Sequence, residues 1–216
     1  MATEPASRAL WYYDVVSPYA YLQCEQLGRV AAKLPVQPVP VLFAGLLNHW
    51  EHKGPAEIPA KRRHTYRQAL WLGHRNGVPI TVPRAHPFNP LPFQRLAIAL
   101  GAKLELVREL LRFVWRDGRI LQEESDWLAL AQAAGVADVR PLIEDEVVKT
   151  RLRANTEDAI ARGVWGVPTL DIDGELFWGL DTTDWALDWL AGETWADPHD
   201  LDRIETLPSA AVRKKV

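Results

Sequence analysis

Cysteine is nearly missing from this chain of 216 residues, which carries one, Cys24. A lone thiol forms no internal disulfide and leaves no partner for a Cys-X-X-Cys redox pair. No run reaches the roughly 20 apolar residues of a membrane-spanning helix, and the opening segment MATEPASRAL lacks the charged and apolar regions of a signal peptide. The expected location is therefore the cytoplasm, with no membrane partner. An excess of one charge sign is also missing, since 25 Lys and Arg face 28 Asp and Glu for a formal net charge of -3. That balance lacks the electrostatic footprint of a nucleic-acid binder, and the basic tail Arg213, Lys214, Lys215 is too short to create one. His49 and His52 are three apart, but no Cys or carboxylate set completes a metal site, so no metal is expected. No Gly-rich phosphate loop is present to hold a nucleotide.

What remains is a globular composition, 48% hydrophobic and 25% charged, long enough for one core with an elaboration. Ten tryptophans are scattered along it, a distribution that suits core and rim packing better than a binding platform. The run ALWYYDVV (9–16) is continuously apolar and aromatic, as in a strand buried on both faces. Ser17 can cap a following helix and Pro18 fits its first position, so a helix is predicted to about Lys33, with Tyr21, Cys24, Leu27 and Ala31 facing inward. VQPVPVLF (36–43) reads as a strand that Pro38 and Pro40 confine to an edge or bulge.

From about Asn48 to Gly163 the pattern is helical, with Gly and Pro punctuation. The clearest helix is 103–117, where Leu104, Val107, Leu111 and Val114 recur at helical spacing and Gly118 marks the stop. Further helices are predicted at 61–76, 91–101, 125–134 and 138–162. The connector 78–92 holds five prolines and reads as an ordered loop. Strand pattern returns at 168–172 and 175–179 around Asp173-Gly174, a strong hairpin signal. A last helix at 183–191 sets Trp185 and Trp189 on one face. The order β-α-β, helical insert, β-β-α is the thioredoxin arrangement. The expected division is a discontinuous thioredoxin-like domain, 8–50 and 163–206, around a helical insertion, 51–162.

In that arrangement the first helix begins at the active site and a proline before the third strand faces it. Ser17 falls at the first point, beside unpaired N–H groups and the positive end of the helix dipole. Val167-Pro168 falls at the second. Each has a plainer reading: Ser17 as a helix cap, and Pro168 as punctuation at a strand start.

These segments resemble the kappa-class glutathione transferases and the bacterial 2-hydroxychromene-2-carboxylate isomerases, relatives of the disulfide oxidoreductase DsbA. The resemblance runs from WYYDVVSPYAYL through PAEIPAKRRHTYRQ and HPFNPLP to GVPTLDIDGELFWGLD. It implies a DsbA-like α/β fold, glutathione as the cofactor and a homodimer. By resemblance Ser17 is the catalytic residue that holds the glutathione thiol, and the backbone of Val167 before Pro168 pairs with the cysteinyl unit like an added strand. Lys61 is the counterpart of the lysine that pairs with the glycyl carboxylate, and Asp181 of the aspartate that receives the γ-glutamyl ammonium. Leu180 stands where the kappa enzymes carry a serine, and His52, or His49 three residues before it, about where they carry an asparagine, unless both are ordinary surface histidines. Thr182 or Thr183 can stand in for the missing serine at the next helix start, or simply cap it. Tyr19 is placed to close over the thiol or acceptor, and His86 and Asn89 to reach the second substrate. For Lys61, Tyr19, His86 and Asn89 the plainer readings are a solvated basic run, aromatic packing and local turn bonds.

The chemistry assigned to Ser17 is energetically adequate. Lowering a thiol from about pKa 8.5 by about two units needs roughly 2.7 kcal/mol of preference for thiolate. One hydroxyl hydrogen bond to a charged group contributes about 1.5–3 kcal/mol, and a helix N-terminus about 0.3–1 kcal/mol. The expected function is therefore a glutathione-dependent isomerase or transferase acting on a small aromatic or unsaturated molecule. The alternatives are a DsbA-like thiol-disulfide oxidoreductase and a non-catalytic glutathione-binding protein.

Overall fold

The computed structural model describes residues 8–211. The basic tail 213–215 and most of the opening segment lie outside them. Four strands, β1 (Ala9–Tyr13), β2 (Val36–Pro40), β3 (Thr169–Ile172) and β4 (Glu175–Trp178), form one sheet in the order β2-β1-β3-β4. β1 runs parallel to β2, with Ala9 opposite Val36 and Tyr13 opposite Pro40, and antiparallel to β3, with Ala9 opposite Ile172. A central strand is covered on both faces, which is why β1 reads as an unbroken apolar run. β2 lies at an edge, where prolines 38 and 40 cost no ladder bonds on the open side. The β3–β4 hairpin turns at Asp173 and Gly174, at φ 55° and 91°, the left-handed pair that a two-residue turn requires.

The helices are α1 (Pro18–Cys24), α2 (Gly28–Ala31), α3 (Phe43–His49), α4 (Pro59–Arg75), α5 (Leu91–Ala99), α6 (Leu104–Trp115), α7 (Glu124–Ala134), α8 (Arg140–Glu144), α9 (Glu146–Ala161), α10 (Thr183–Ala191) and α11 (Pro198–Glu205). Every described element between β2 and β3 is helical. One face of the sheet packs Trp11 and Tyr13, stacked at 4.8 Å, with Tyr21, Cys24 and Leu27 and with Leu110, Leu111 and Val114 of α6. Tyr12 points the other way, toward Val41, Leu46, Ala159 and Val164. No helix of the described residues is long and apolar enough to cross a membrane.

Four sequence expectations need correction. The first helix does not run to Lys33: it ends at Cys24, where Glu25 is gripped by the Arg112 guanidinium of α6 at 2.7 Å through both oxygens, and α2 comes next as one turn with Ala31 exposed. The second strand stops at Pro40, and Phe43 opens α3, its N–H held by the Asp14 carboxylate at 2.9 Å. The predicted helix 138–162 is two, broken at Asp145, whose carboxylate leaves the helical path to cap α9 at Val147 and Val148. α11 was not foreseen, although Asp197 and Pro198 form a regular cap and first position.

Candidate active site

Ser17 is the cap of α1: its backbone is extended, and its Oγ accepts from the Ala20 N–H at 3.2 Å. The same hydroxyl donates to the Val167 carbonyl at 3.4 Å, across 150 residues of sequence. Val167-Pro168 is cis. The two motifs therefore meet, with Ser17 only 7% exposed. A bond of 3.4 Å is long for O–H···O, so the hydroxyl hydrogen can be redirected to a better acceptor at little cost.

Tyr19 lies half-buried on α1 and donates to Gln68 of α4 at 2.7 Å. Burial raises its phenol above the usual value, the Thr65 hydrogen bond opposes that, and the Asp181 carboxylate adds to it. Asp181, exposed, comes after Gly179, whose φ of 102° suits only glycine; a Cβ there would sit 2.6 Å from the Asp181 carboxylate. Leu180 is half-buried beside it. Lys61 is exposed in the first turn of α4, a helix with no side-chain cap and no acid in that turn. Lys61, Arg62 and Arg63 make no ion pair among the described residues, an accumulation of cations at the positive end of a helix that the helix itself does not compensate. His52 is exposed in the connection after α3.

The remaining predicted residues are engaged locally. Asn89 accepts from the Leu91 N–H at 3.1 Å, the turn bond of its plainer reading, and lines a cavity of about 280 Å³ with Phe88, Leu121 and Trp127. That cavity lies within the helical part. Thr183 is 2% exposed, donating to Leu180 O and accepting from Gln23, so its hydroxyl is spent on the turn. Thr182 donates to Gly179 O. His86 has both ring nitrogens occupied, Nε2 at 2.7 Å from Val16 O and Nδ1 at 2.7 Å from the Tyr66 hydroxyl. Burial lowers its pKa, the Val16 bond opposes that, and the Arg62 cation adds to the lowering.

Sequence reasoning missed the side chains that build the loop before Ser17. Asp14, 1% exposed, accepts from Val16 N at 3.0 Å and Phe43 N at 2.9 Å, while burial pushes its carboxyl up to about 6. Trp115 Nε1 donates to Val15 O at 2.8 Å, and Gln94 Nε2 bridges Tyr13 O and Val41 O. On the far side, Gln23 accepts from Trp11 Nε1 and donates to Gly179 O and Thr183 Oγ1, joining α1 to the turn that carries Asp181. A polar residue at a position that helical periodicity makes internal was the available signal, at Gln23 and at Gln94. Cys24 is fully buried, its thiol pushed up to about 12 by that burial.

Residues 10–191 match the DSBA-like thioredoxin domain family. The chain is 30% identical over 218 residues to glutathione S-transferase kappa 1 of Rattus norvegicus, covering 90% of this chain and 95% of that one. It is 28% identical over 203 residues to glutathione S-transferase kappa 2 of Caenorhabditis elegans, covering 84% and 90%. Among solved structures, a 2-hydroxychromene-2-carboxylate isomerase superposes with a TM-score of 0.73 at 20% identity, over 94% of this chain and all of that one. The serine at the head of α1, the proline opposite it and these matches over nearly the whole length place the chain in the DsbA-like thioredoxin family, alongside the kappa-class glutathione transferases.

Proposed function

We propose that this chain is a glutathione-dependent enzyme, an isomerase or transferase that holds the glutathione thiolate at Ser17 for attack on a small aromatic or unsaturated molecule. The observation that carries the reading is the Ser17 hydroxyl, seated at the start of α1, facing the Val167 carbonyl and bonded to it only at 3.4 Å. A sulfur anion is a stronger acceptor than that distant carbonyl, so the O–H turns to the sulfur and the thiol proton leaves to solvent. The α1 dipole adds to the same preference.

In this reading glutathione lies along the Val167-Pro168 segment as an added strand, with Val167 supplying backbone bonds and Pro168 the shape of the edge. Lys61 takes the glycyl carboxylate, supported by the uncompensated cations at the uncapped start of α4. Asp181 takes the γ-glutamyl ammonium. With Leu180 in place of a serine and the Thr183 hydroxyl spent, the γ-glutamyl carboxylate falls to backbone N–H groups at the start of α10, which no side chain caps. Tyr19, anchored on α4, closes the site beside the sulfur, and His52 lies at its outer edge. The protein works in the cytoplasm as a homodimer, its thioredoxin-like segments 8–50 and 163–206 carrying the thiol site and the helical segment 51–162 closing it.

Thiol-disulfide exchange is disfavoured by the chain itself. Ala20 holds the place of a second redox cysteine, and Cys24 is fully buried with its thiol raised. Calorimetric titration tests the proposal: reduced glutathione binds the wild type, and binding weakens about tenfold when Ser17 becomes Ala or the thiol is methylated. Equal affinity for glutathione and S-methylglutathione would instead favour a non-catalytic binding protein.

A further inference from the structure

The segment that delivers Ser17 is held from outside by side chains of the helical part, one carbonyl after another. Tyr13 O accepts from Gln94 at 2.9 Å, Val15 O from Trp115 at 2.8 Å and Val16 O from His86 at 2.7 Å. The last contact acts on the peptide bond that joins Val16 to Ser17. The N–H of that same peptide donates to Asp14 O at 3.0 Å, so both of its polar ends are occupied and its plane is set. The His86 ring is itself held. A carbonyl can only accept, so Nε2 carries the hydrogen, and the neutral ring then accepts at Nδ1 from the Tyr66 hydroxyl. Tyr66, Phe88 and Trp115 meet the ring at centroid distances of 5.5, 5.9 and 5.4 Å. Tyr66 lies on α4, two residues before the Gln68 that anchors Tyr19.

We propose that His86, backed by Tyr66, is a positioning residue for Ser17: it fixes the Val16–Ser17 peptide, and through it the direction in which the Ser17 hydroxyl faces the Val167-Pro168 segment. This rests on the reading of Ser17 as the thiolate-holding group. His86 does not touch the reacting sulfur. Its contribution is that the hydroxyl is already aimed when glutathione binds, so that no reorganisation of the loop is charged against thiolate formation. A residue expected to reach the second substrate thus serves the first, and α4, which supplies Lys61 to the proposed glycyl site, is mechanically linked to the serine.

The test measures glutathione and S-methylglutathione affinity by calorimetry, and the pKa of bound glutathione by ultraviolet thiolate titration. The proteins compared are the wild type, His86→Ala, His86→Gln and Tyr66→Phe. His86→Ala should raise the bound thiol pKa by about one unit and so weaken glutathione about tenfold at about pH 9, where both bound forms are thiolate, leaving S-methylglutathione within about twofold. His86→Gln, whose amide nitrogen can donate from the place of Nε2, should recover most of the loss. Tyr66→Phe removes one hydroxyl and should give a smaller change of the same sign, about threefold, which keeps the proposal testable if the alanine variant does not fold. An unchanged thiol pKa in folded His86→Ala or in Tyr66→Phe overturns the positioning role while the Ser17 reading stands. Equal weakening of both ligands overturns it too, since that is what a purely structural role produces. A wild type that leaves the thiol pKa of glutathione at its solution value overturns the Ser17 reading itself, and the His86 role with it.

Discussion

At the scale of single residues, the loop around Ser17 places a carboxyl where it is costly to ionise. Asp14 is buried beneath the loop, and burial outweighs its two N–H donors to put its pKa at about 6, against an ordinary value of 3.8. Between those values the folded state binds more protons than the unfolded state, so stability falls as pH rises from about 4 to about 6 and is level above. A shift of about two units corresponds to about 3 kcal/mol. Urea unfolding across pH 4–8 should therefore show the wild type losing up to about 3 kcal/mol relative to Asp14→Asn as pH rises through this window. A difference that stays constant with pH would show that Asp14 does not titrate there. Ser17, Pro168 and the Asp173-Gly174 turn were legible in the sequence because each acts through its own backbone, as a cap, a fixed φ or a left-handed pair. The bonds of Asp14, Gln94 and His86 were not, because their partners are main-chain atoms of a loop or a distant strand: helical spacing marks Gln94 as internal but carries no record of what it bonds.

At the scale of elements, periodicity located α6, α7 and α10 well and misjudged the junctions. Leu42 and Phe43 extend a β-branched run and look like strand, but the carboxylate of Asp14 takes the Phe43 N–H and starts α3 instead. Asp145 sits inside an amphipathic pattern and breaks it by capping α9. α1 ends early because the tertiary contact of Glu25 with Arg112 competes with helix continuation, an effect that local propensity cannot contain. The tie between α1 and the β4–α10 connection passes through one fully buried side chain, Gln23. Gln23→Leu should cost about 2–3 kcal/mol, because the Trp11 indole N–H is left buried without an acceptor. Denaturant titration would read that loss. A change below about 0.5 kcal/mol would mean that the α1 tie rests on apolar packing alone.

At the scale of the whole molecule, the fold brings the head of α1 and the start of β3 together, and the described elements inserted between β2 and β3 are helices, with a connector that carries His86 against the loop before Ser17. Element order alone made this architecture readable, since a parallel β-α-β unit joined far downstream by a hairpin and a helix has few ways to form one sheet. The same fold in other proteins serves thiol-disulfide exchange, so chemistry comes from the side chains at the junction and not from the topology. Here the sole thiol is sealed in the core. Cys24 should resist a disulfide reagent in the native protein and react at the rate of global unfolding, whereas fast native labelling would place it in an accessible and redox-capable setting.

The central claim is that Ser17 makes thiolate out of thiol. Ultraviolet titration of glutathione bound to the wild type and to Ser17→Ala tests it most directly. The account predicts a bound thiol titrating well below about pKa 8.5 in the wild type and about one to two units higher in the variant. Identical titration curves for the two proteins would contradict it.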